Sequence, residues 1–146
     1  MLDEYRIKGA VVLLGLPNTA KTTLLNIAIQ MIGEQNKCSV PINLLDPRNH
    51  RFAGSSLENK LMNVVDEMPR INIKNIEAFK NATGGAGFEV EKKGKDAHFI
   101  TNNAKCIFSA NETGEVDQKI AESFFSRIIP LECVNVFSPD DKSTKH

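Results

Sequence analysis

Short apolar runs alternate with helical and polar stretches along this chain. Ala10 to Leu14 is apolar on both faces and rich in valine, as a central strand of a parallel sheet is. Lys21 to Ile32 follows with Leu24, Leu25, Ile27, Ile29, Met31 and Ile32, a helix apolar nearly all round and so expected to be covered on several sides, with Gly33 as its stop. The segment 34–56 is less regular, with one apolar piece at Pro41-Ile42-Asn43-Leu44-Leu45 and a polar loop holding Arg48, His50 and Arg51. Lys60 to Pro69 reads as a strand that closes on two carboxylates, Asp66 and Glu67. Ile73 to Ala82 has helical spacing, and Thr83-Gly84-Gly85 is expected to break it.

The second half repeats the alternation. Phe88 to Lys92 and Asp96 to Ile100 flank Lys93-Gly94-Lys95, a hairpin signal. Ala104 to Ala110 is a buried strand ending at Asn111, Glu115 to Phe125 is helical, and Ser126 to Cys133 returns as a strand. From Ser138 the tail is polar and expected to be disordered, which leaves residues 1–137 as the folded core. The class is α/β: a central, mainly parallel sheet flanked by helices, with an inserted β-hairpin.

Composition narrows the choices. The 146 residues suit one domain, and 41% hydrophobic with 25% charged residues is ordinary for a soluble globular protein. Lys plus Arg equals Asp plus Glu at 18 each, so contact with nucleic acid must come from a local patch. Cys38, Cys106 and Cys133 form no C-x-x-C pair, which argues against a zinc or redox motif and suits a reducing compartment. The charged start MLDEYRIKG lacks a signal-peptide pattern, and no apolar run is long enough to span a bilayer. These features lead to the expectation of a cytoplasmic protein without membrane contact.

The candidate chemistry begins where the first strand ends. Gly15, Pro17, Asn18, Thr19, Ala20, Lys21, Thr22 and Thr23 spell strand, phosphate loop and helix. A triphosphate needs converging backbone N–H groups and the positive end of a helix, and so a small, turn-prone loop. Gly15, Pro17 and Asn18 supply the turn; Lys21 can reach the outer phosphates and the Thr22 hydroxyl can hold Mg²⁺. The pattern G-x-x-x-x-G-K-[ST] carries Ala20 in place of its second glycine. The methyl group is expected to forbid a strongly positive φ while leaving the N–H in place.

At the carboxyl edge of a parallel sheet the two acids would face the nucleotide. Asp66 is the candidate Mg²⁺ ligand and Glu67 the general base for an attacking water. Asn111 can hydrogen-bond the γ-phosphate or that water, and Arg127 can offset transition-state charge, in a neighbour's site. Bland counterparts stand beside each: a solvated acidic turn, an asparagine turn, a surface ion pair and, for Lys92, Lys93 and Lys95, a solubilising hairpin tip.

From about Ala10 to Leu131 the chain resembles the helicase domain of superfamily III, of the phage, plasmid and poxvirus-type primase-helicases, a branch of the AAA+ P-loop NTPases. The resemblance rests on GLPNTAKTT at 15–23, LMNVVDEMP at 61–69, FKNATGG with FEVEKKGKD across 79–96, AKCIFSANE at 104–112 and FFSRIIPLE at 124–132. Ala20 itself resembles the loops of minichromosome-maintenance helicases. The family usually carries an acid where Ala86 stands and two adjacent arginines where Ser126-Arg127 stands, leaving a single candidate finger.

What the resemblance implies is an ATP- and Mg²⁺-dependent helicase motor acting in DNA replication, a homo-hexameric ring with ATP between subunits and single-stranded DNA in its channel. Lys93 or Lys95, with His98 as a second contact, matches the hairpin lysine that touches DNA phosphates. The chain then reads as a minimal motor core, with primase or origin-binding domains on a longer chain, working in the host cell of a virus or plasmid. Two other classes stay open: an ATP-binding switch or assembly module with little hydrolysis, and a P-loop small-molecule kinase. Against the kinase stand the lack of an arginine-rich lid and a basic hairpin with no role there. The whole reading requires Asp66 and Glu67 to lie near Lys21 and not on another rim of the fold.

Overall fold

The computed structural model describes residues 8–45, 50, 52–68, 76–85, 87–111 and 118–138. Its centre is a five-stranded sheet built from β1 (Ala10–Leu14), β2 (Lys37–Cys38), β3 (Met62–Val65), β6 (Lys105–Ala110) and β7 (Ile128–Glu132). The spatial order is β2-β3-β6-β1-β7, and every pairing is parallel. A parallel sheet brings the carboxyl ends of its strands to one edge, so Leu14, Val65, Ala110 and Glu132 end on the same side of the molecule.

Helices cover both faces. α1 (Lys21–Ile32) lays Leu25 against Leu13 and Val64, with Ile29, Val11 and Ile107 around them. On the opposite face α2 (Ile76–Gly84) and α3 (Gln118–Phe125) close over Val12, Val65, Cys106 and Phe108. Phe79 of α2 and Phe124 of α3 meet there, with ring centroids 5.0 Å apart and planes tilted by 40°. A third cluster joins Leu45, Leu57, Ala78, Ala82 and Ala104 to Val90 and Ile100, the inward residues of a separate hairpin formed by β4 (Gly87–Val90) and β5 (His98–Thr101).

Several expectations need correction. α1 is not covered all round: Leu24, Ile27 and Met31 are exposed, Met31 by 82%, because the sheet reaches only the Leu25–Ile29 side. α2 runs through Thr83 to Gly84 and is not broken at Thr83, whose hydroxyl donates to the Phe79 carbonyl at 2.7 Å and stays within the helix's own bonding. The hairpin strands are shorter than the alternation suggests, and residues 91–97 connect them; Lys95 N–H closes a turn on the Lys92 carbonyl, with Gly94 at φ +76°.

The irregular 34–56 segment contributes β2, which pairs with β3, and 3-10 turns at Glu34–Asn36, Ile42–Leu44 and Ala53–Leu57. Asn63 on β3 holds it in place. Its fully buried amide donates to the Val40 carbonyl at 2.9 Å and accepts the Val40 N–H at 2.8 Å. Helical starts expected at Ile73 and Glu115, together with Arg48, Arg51, Ala86 and residues 139–146, lie outside the described residues.

Candidate nucleotide-binding site

The turn after β1 is fixed from within. Gly15 N–H reaches the Ala110 carbonyl at 3.3 Å, and Cys133 N–H donates to the Leu14 carbonyl at 2.7 Å. A Cβ at Gly15 would lie 2.3 Å from the Cys133 carbonyl oxygen, so this position requires glycine. Thr19, buried, donates its hydroxyl to the Leu16 carbonyl at 2.8 Å. The exposed Asn18 has φ +63°, and its carbonyl accepts the Phe137 N–H at 2.8 Å, which brings the segment after β7 beside the loop.

Ala20 overturns its expectation. It takes φ +62° and ψ +18°, the left-handed conformation expected to be closed to it, and stands immediately before α1 with no side chain capping the helix. The surrounding bonds over-determine the turn strongly enough to hold an alanine there. As in any α-helix the first N–H groups of α1 lack an intrahelical acceptor, and here no N-cap side chain supplies one.

Lys21 is 7% exposed, and its ammonium is enclosed by loop oxygens. It donates to the Gly15 carbonyl at 2.6 Å and the Leu16 carbonyl at 2.7 Å, and contacts Thr19 Oγ1 at 3.3 Å. The next residue crosses to β3: Thr22 Oγ1 donates to Asp66 Oδ2 at 2.8 Å. The other carboxylate oxygen, Oδ1, accepts from the Ser109 hydroxyl at 2.5 Å. Burial by itself raises the Asp66 carboxyl, yet hydrogen bonds from Ser109, Thr22 and the Glu67 backbone, with the Lys21 charge nearby, hold it below the usual carboxylate value.

Glu67 is exposed and left-handed, with φ +53°. Its N–H donates to Ser109 Oγ at 2.8 Å, and Met68 N–H donates to the Ser109 carbonyl at 2.8 Å. Asn111 follows directly on Ala110 at the same sheet edge and is exposed. The sheet therefore brings the 15–23 loop, Asp66, Glu67 and Asn111 to one edge.

Arg127 is elsewhere. Its carbonyl accepts the N–H of Ala10 at 2.8 Å, which puts it at the amino-terminal edge of β1 and β7, away from Lys21. One guanidinium nitrogen, Nη1, is buried with no hydrogen-bond partner among the described residues and lies beside Gly84. The hairpin residues are also apart from the loop. Lys93 and Lys95 are exposed at its tip, whereas His98 Nε2 lies 3.4 Å from Glu58 Oε1, and Lys92 pairs with the other oxygen of Glu58.

A divalent cation would find one carboxylate and one hydroxyl here. Asp66 and Thr22 already share a hydrogen bond, and both offer the hard oxygen ligands that Mg²⁺ takes. Among the described residues no group of three His, Cys, Asp or Glu gathers to bind a metal unaided. The pair suits an ion that arrives with phosphate oxygens of its own.

Sequence reasoning missed Ser109. Its only signal was a lone hydroxyl in the apolar run that follows Lys105, one position before that strand's last residue.

The model of a family of unknown function, DUF5906, matches residues 13–127, a span that runs from the first strand to Arg127. No curated protein matches the chain. Three solved structures of the NrS-1 C-terminal region are similar in fold. Two A-form apo structures give TM-scores of 0.67 and 0.64 at 21% and 20% identity, and a further apo structure gives 0.68 at 20%. Each similarity covers 98% of this chain, which spans about a third of those chains, 34%, 33% and 34% respectively. No described helix is long and apolar enough to cross a membrane.

Proposed function

We propose that this chain, which belongs to the family of unknown function DUF5906, binds ATP with Mg²⁺ at the 15–23 loop and hydrolyses it as the motor domain of a DNA helicase or translocase. The reading treats the molecule as a P-loop NTPase core of the AAA+ type. The observation that carries it is the Thr22–Asp66 hydrogen bond beside the enclosed Lys21 ammonium. It brings two oxygen ligands for a phosphate-bound cation together from two elements, next to the ammonium that would meet the phosphates.

Lys21 would exchange its carbonyl partners for phosphate oxygens, and the uncapped N–H groups of α1 would face the same charge. Thr22 and Asp66 would hold Mg²⁺, which when bound neutralises developing phosphate charge. Glu67 would orient or deprotonate the attacking water, and Asn111 would hydrogen-bond near it. Arg127 lies at the far edge, away from the loop of its own chain, so the finger role proposed for it is one in a neighbouring copy of a ring. Lys93 and Lys95, free of ion pairs among the described residues, are the candidate contacts to single-stranded DNA; His98 is weaker because Glu58 already engages it.

One observation favours a second reading, an ATP-binding switch with little turnover: no arginine stands in the described part of the site itself, so an isolated copy would bind without hydrolysing efficiently. Calorimetric titration with Mg²⁺-ATP of the chain, Lys21→Ala and Asp66→Asn tests the site. Micromolar or tighter binding lost in Lys21→Ala and reduced in Asp66→Asn supports it; binding indifferent to Lys21→Ala contradicts it.

A further inference from the structure

We propose that Ser109 is the positioning residue of this site, a buried latch that holds Asp66 and the left-handed turn at Glu67 in working register. The inference rests on the reading of Asp66 and Glu67 given above and assigns a role to a residue outside the loop and the acid pair. A serine hydroxyl has one proton and two lone pairs. Ser109 uses the proton on Asp66 Oδ1 and a lone pair on the Glu67 N–H, while its main-chain carbonyl takes the Met68 N–H. Three successive residues of the acid turn are thus bound to a single residue of the neighbouring strand.

The register makes this possible. β3 pairs with β6 up to Val65 opposite Phe108, and the chain then leaves the ladder, so Asp66 comes level with Ser109 where regular pairing has stopped. At that point Glu67 turns into a backbone region that a non-glycine residue keeps only when its surroundings hold it there. Two bonds to Ser109 tie it down, from its own N–H to the hydroxyl and from the Met68 N–H to the carbonyl. Ser109 has no exposed surface, so water cannot replace the hydroxyl without entering the sheet. Through Asp66, whose second oxygen accepts from Thr22, the latch also connects β6 to the first turn of α1.

A hydroxyl-free residue should therefore leave nucleotide binding at Lys21 largely intact and misplace the carboxylate that acts on water. The test compares the chain with Ser109→Ala, with Ser109→Cys, which retains volume but bonds weakly, and with Ser109→Thr, which retains the hydroxyl. Amide exchange followed by NMR without nucleotide reads the latch directly. Loss of that hydrogen bond should speed Glu67 exchange by about tenfold in Ala and Cys. In the same variants kcat should fall about 10- to 100-fold, the effect of small misplacement, while the Kd for Mg²⁺-ATP stays within about threefold. Ser109→Thr should restore both.

Unchanged Glu67 exchange in Ser109→Ala and Ser109→Cys overturns the proposal, as does a loss of kcat matched by equal loss of nucleotide binding and a collapsed melting transition. Should the unaltered chain neither bind nor hydrolyse ATP, the nucleotide reading fails, and the exchange measurement still decides whether Ser109 holds the turn.

Discussion

Thr22 Oγ1 and Asp66 Oδ2 lie 2.8 Å apart across 44 residues of sequence, joining the first turn of α1 to the end of β3. The contact needs the parallel order of the sheet, because only then do β1 and β3 both end at the edge where α1 begins. Thr22→Ala removes the hydroxyl and leaves the Asp66 carboxylate with Ser109 and solvent. We expect a higher Mg²⁺ concentration for half-maximal ATP hydrolysis, with stability within about 1 kcal/mol of the parent because the pair is exposed. A Mg²⁺ titration beside a thermal melt reads both; an unchanged Mg²⁺ requirement counts against the pair as the cation site.

Ala20 in the left-handed region carries a conformational cost that glycine avoids. Ala20→Gly should raise stability by about 1 kcal/mol in denaturant unfolding. Gly15→Ala should lower it by about 1–3 kcal/mol, since its methyl group meets the Cys133 carbonyl. Equal effects of the two substitutions would show that the loop conformation is not the one described.

Much of this arrangement was legible in the sequence. Ala10 to Leu14 announced a strand through valine and the absence of any polar face, and Lys21 followed at phosphate-loop spacing. The two acids closing β3 were visible because they interrupt an apolar run. Other features lie in tertiary contacts that local pattern does not encode. Lys37–Cys38 is too short to show a period and is a strand only because β3 pairs with it and Asn63 binds the chain just beyond. The φ of Ala20 reverses alanine's own preference, so the turn's tertiary bonds decide it. The open flank of α1 could not be foreseen either, because how many sides of an apolar helix are covered depends on what else is present.

The thiols should differ sharply in reactivity. Burial pushes Cys106 up to about 12, against a smaller opposing effect from the Asn63 amide, and pushes Cys38 up to about 11. Thiolate is the nucleophile, so both should resist alkylation in the folded state. Cys133, half-buried beside the loop, should react first. Peptide mapping after brief iodoacetamide treatment at about pH 8 should find label at Cys133 alone, and at all three after unfolding. Early labelling of Cys106 would contradict the packing between β3 and β6.

Glu58 anchors the base of the hairpin through Lys92 and His98. The Lys92 hydrogen bond is the largest influence on its carboxyl; burial opposes it, and the Lys92 charge and His98 add to it, leaving the value below the ordinary 4.5. A carboxyl depressed in the folded state contributes stability that is complete above its unfolded value and is lost as pH falls through the folded one. The protection of the Val90 and Ile100 amides against exchange, taken relative to their intrinsic rates at each pH, should fall on acidification from about pH 6 to about pH 3. Glu58→Gln should flatten that response, and an identical profile in the variant would remove Glu58 from the account.

The central claim is that a triphosphate held at the turn after β1 is hydrolysed by the acids that end β3, with an arginine from a neighbouring copy completing the site. Steady-state ATP hydrolysis per subunit, measured against protein concentration with and without single-stranded DNA, for the chain and for Glu67→Gln and Arg127→Ala, tests it most directly. The account predicts a rate that climbs as copies assemble, rises further with DNA, and falls at least about a hundredfold in both variants. A rate independent of concentration and DNA, or one undiminished by Glu67→Gln, would contradict it.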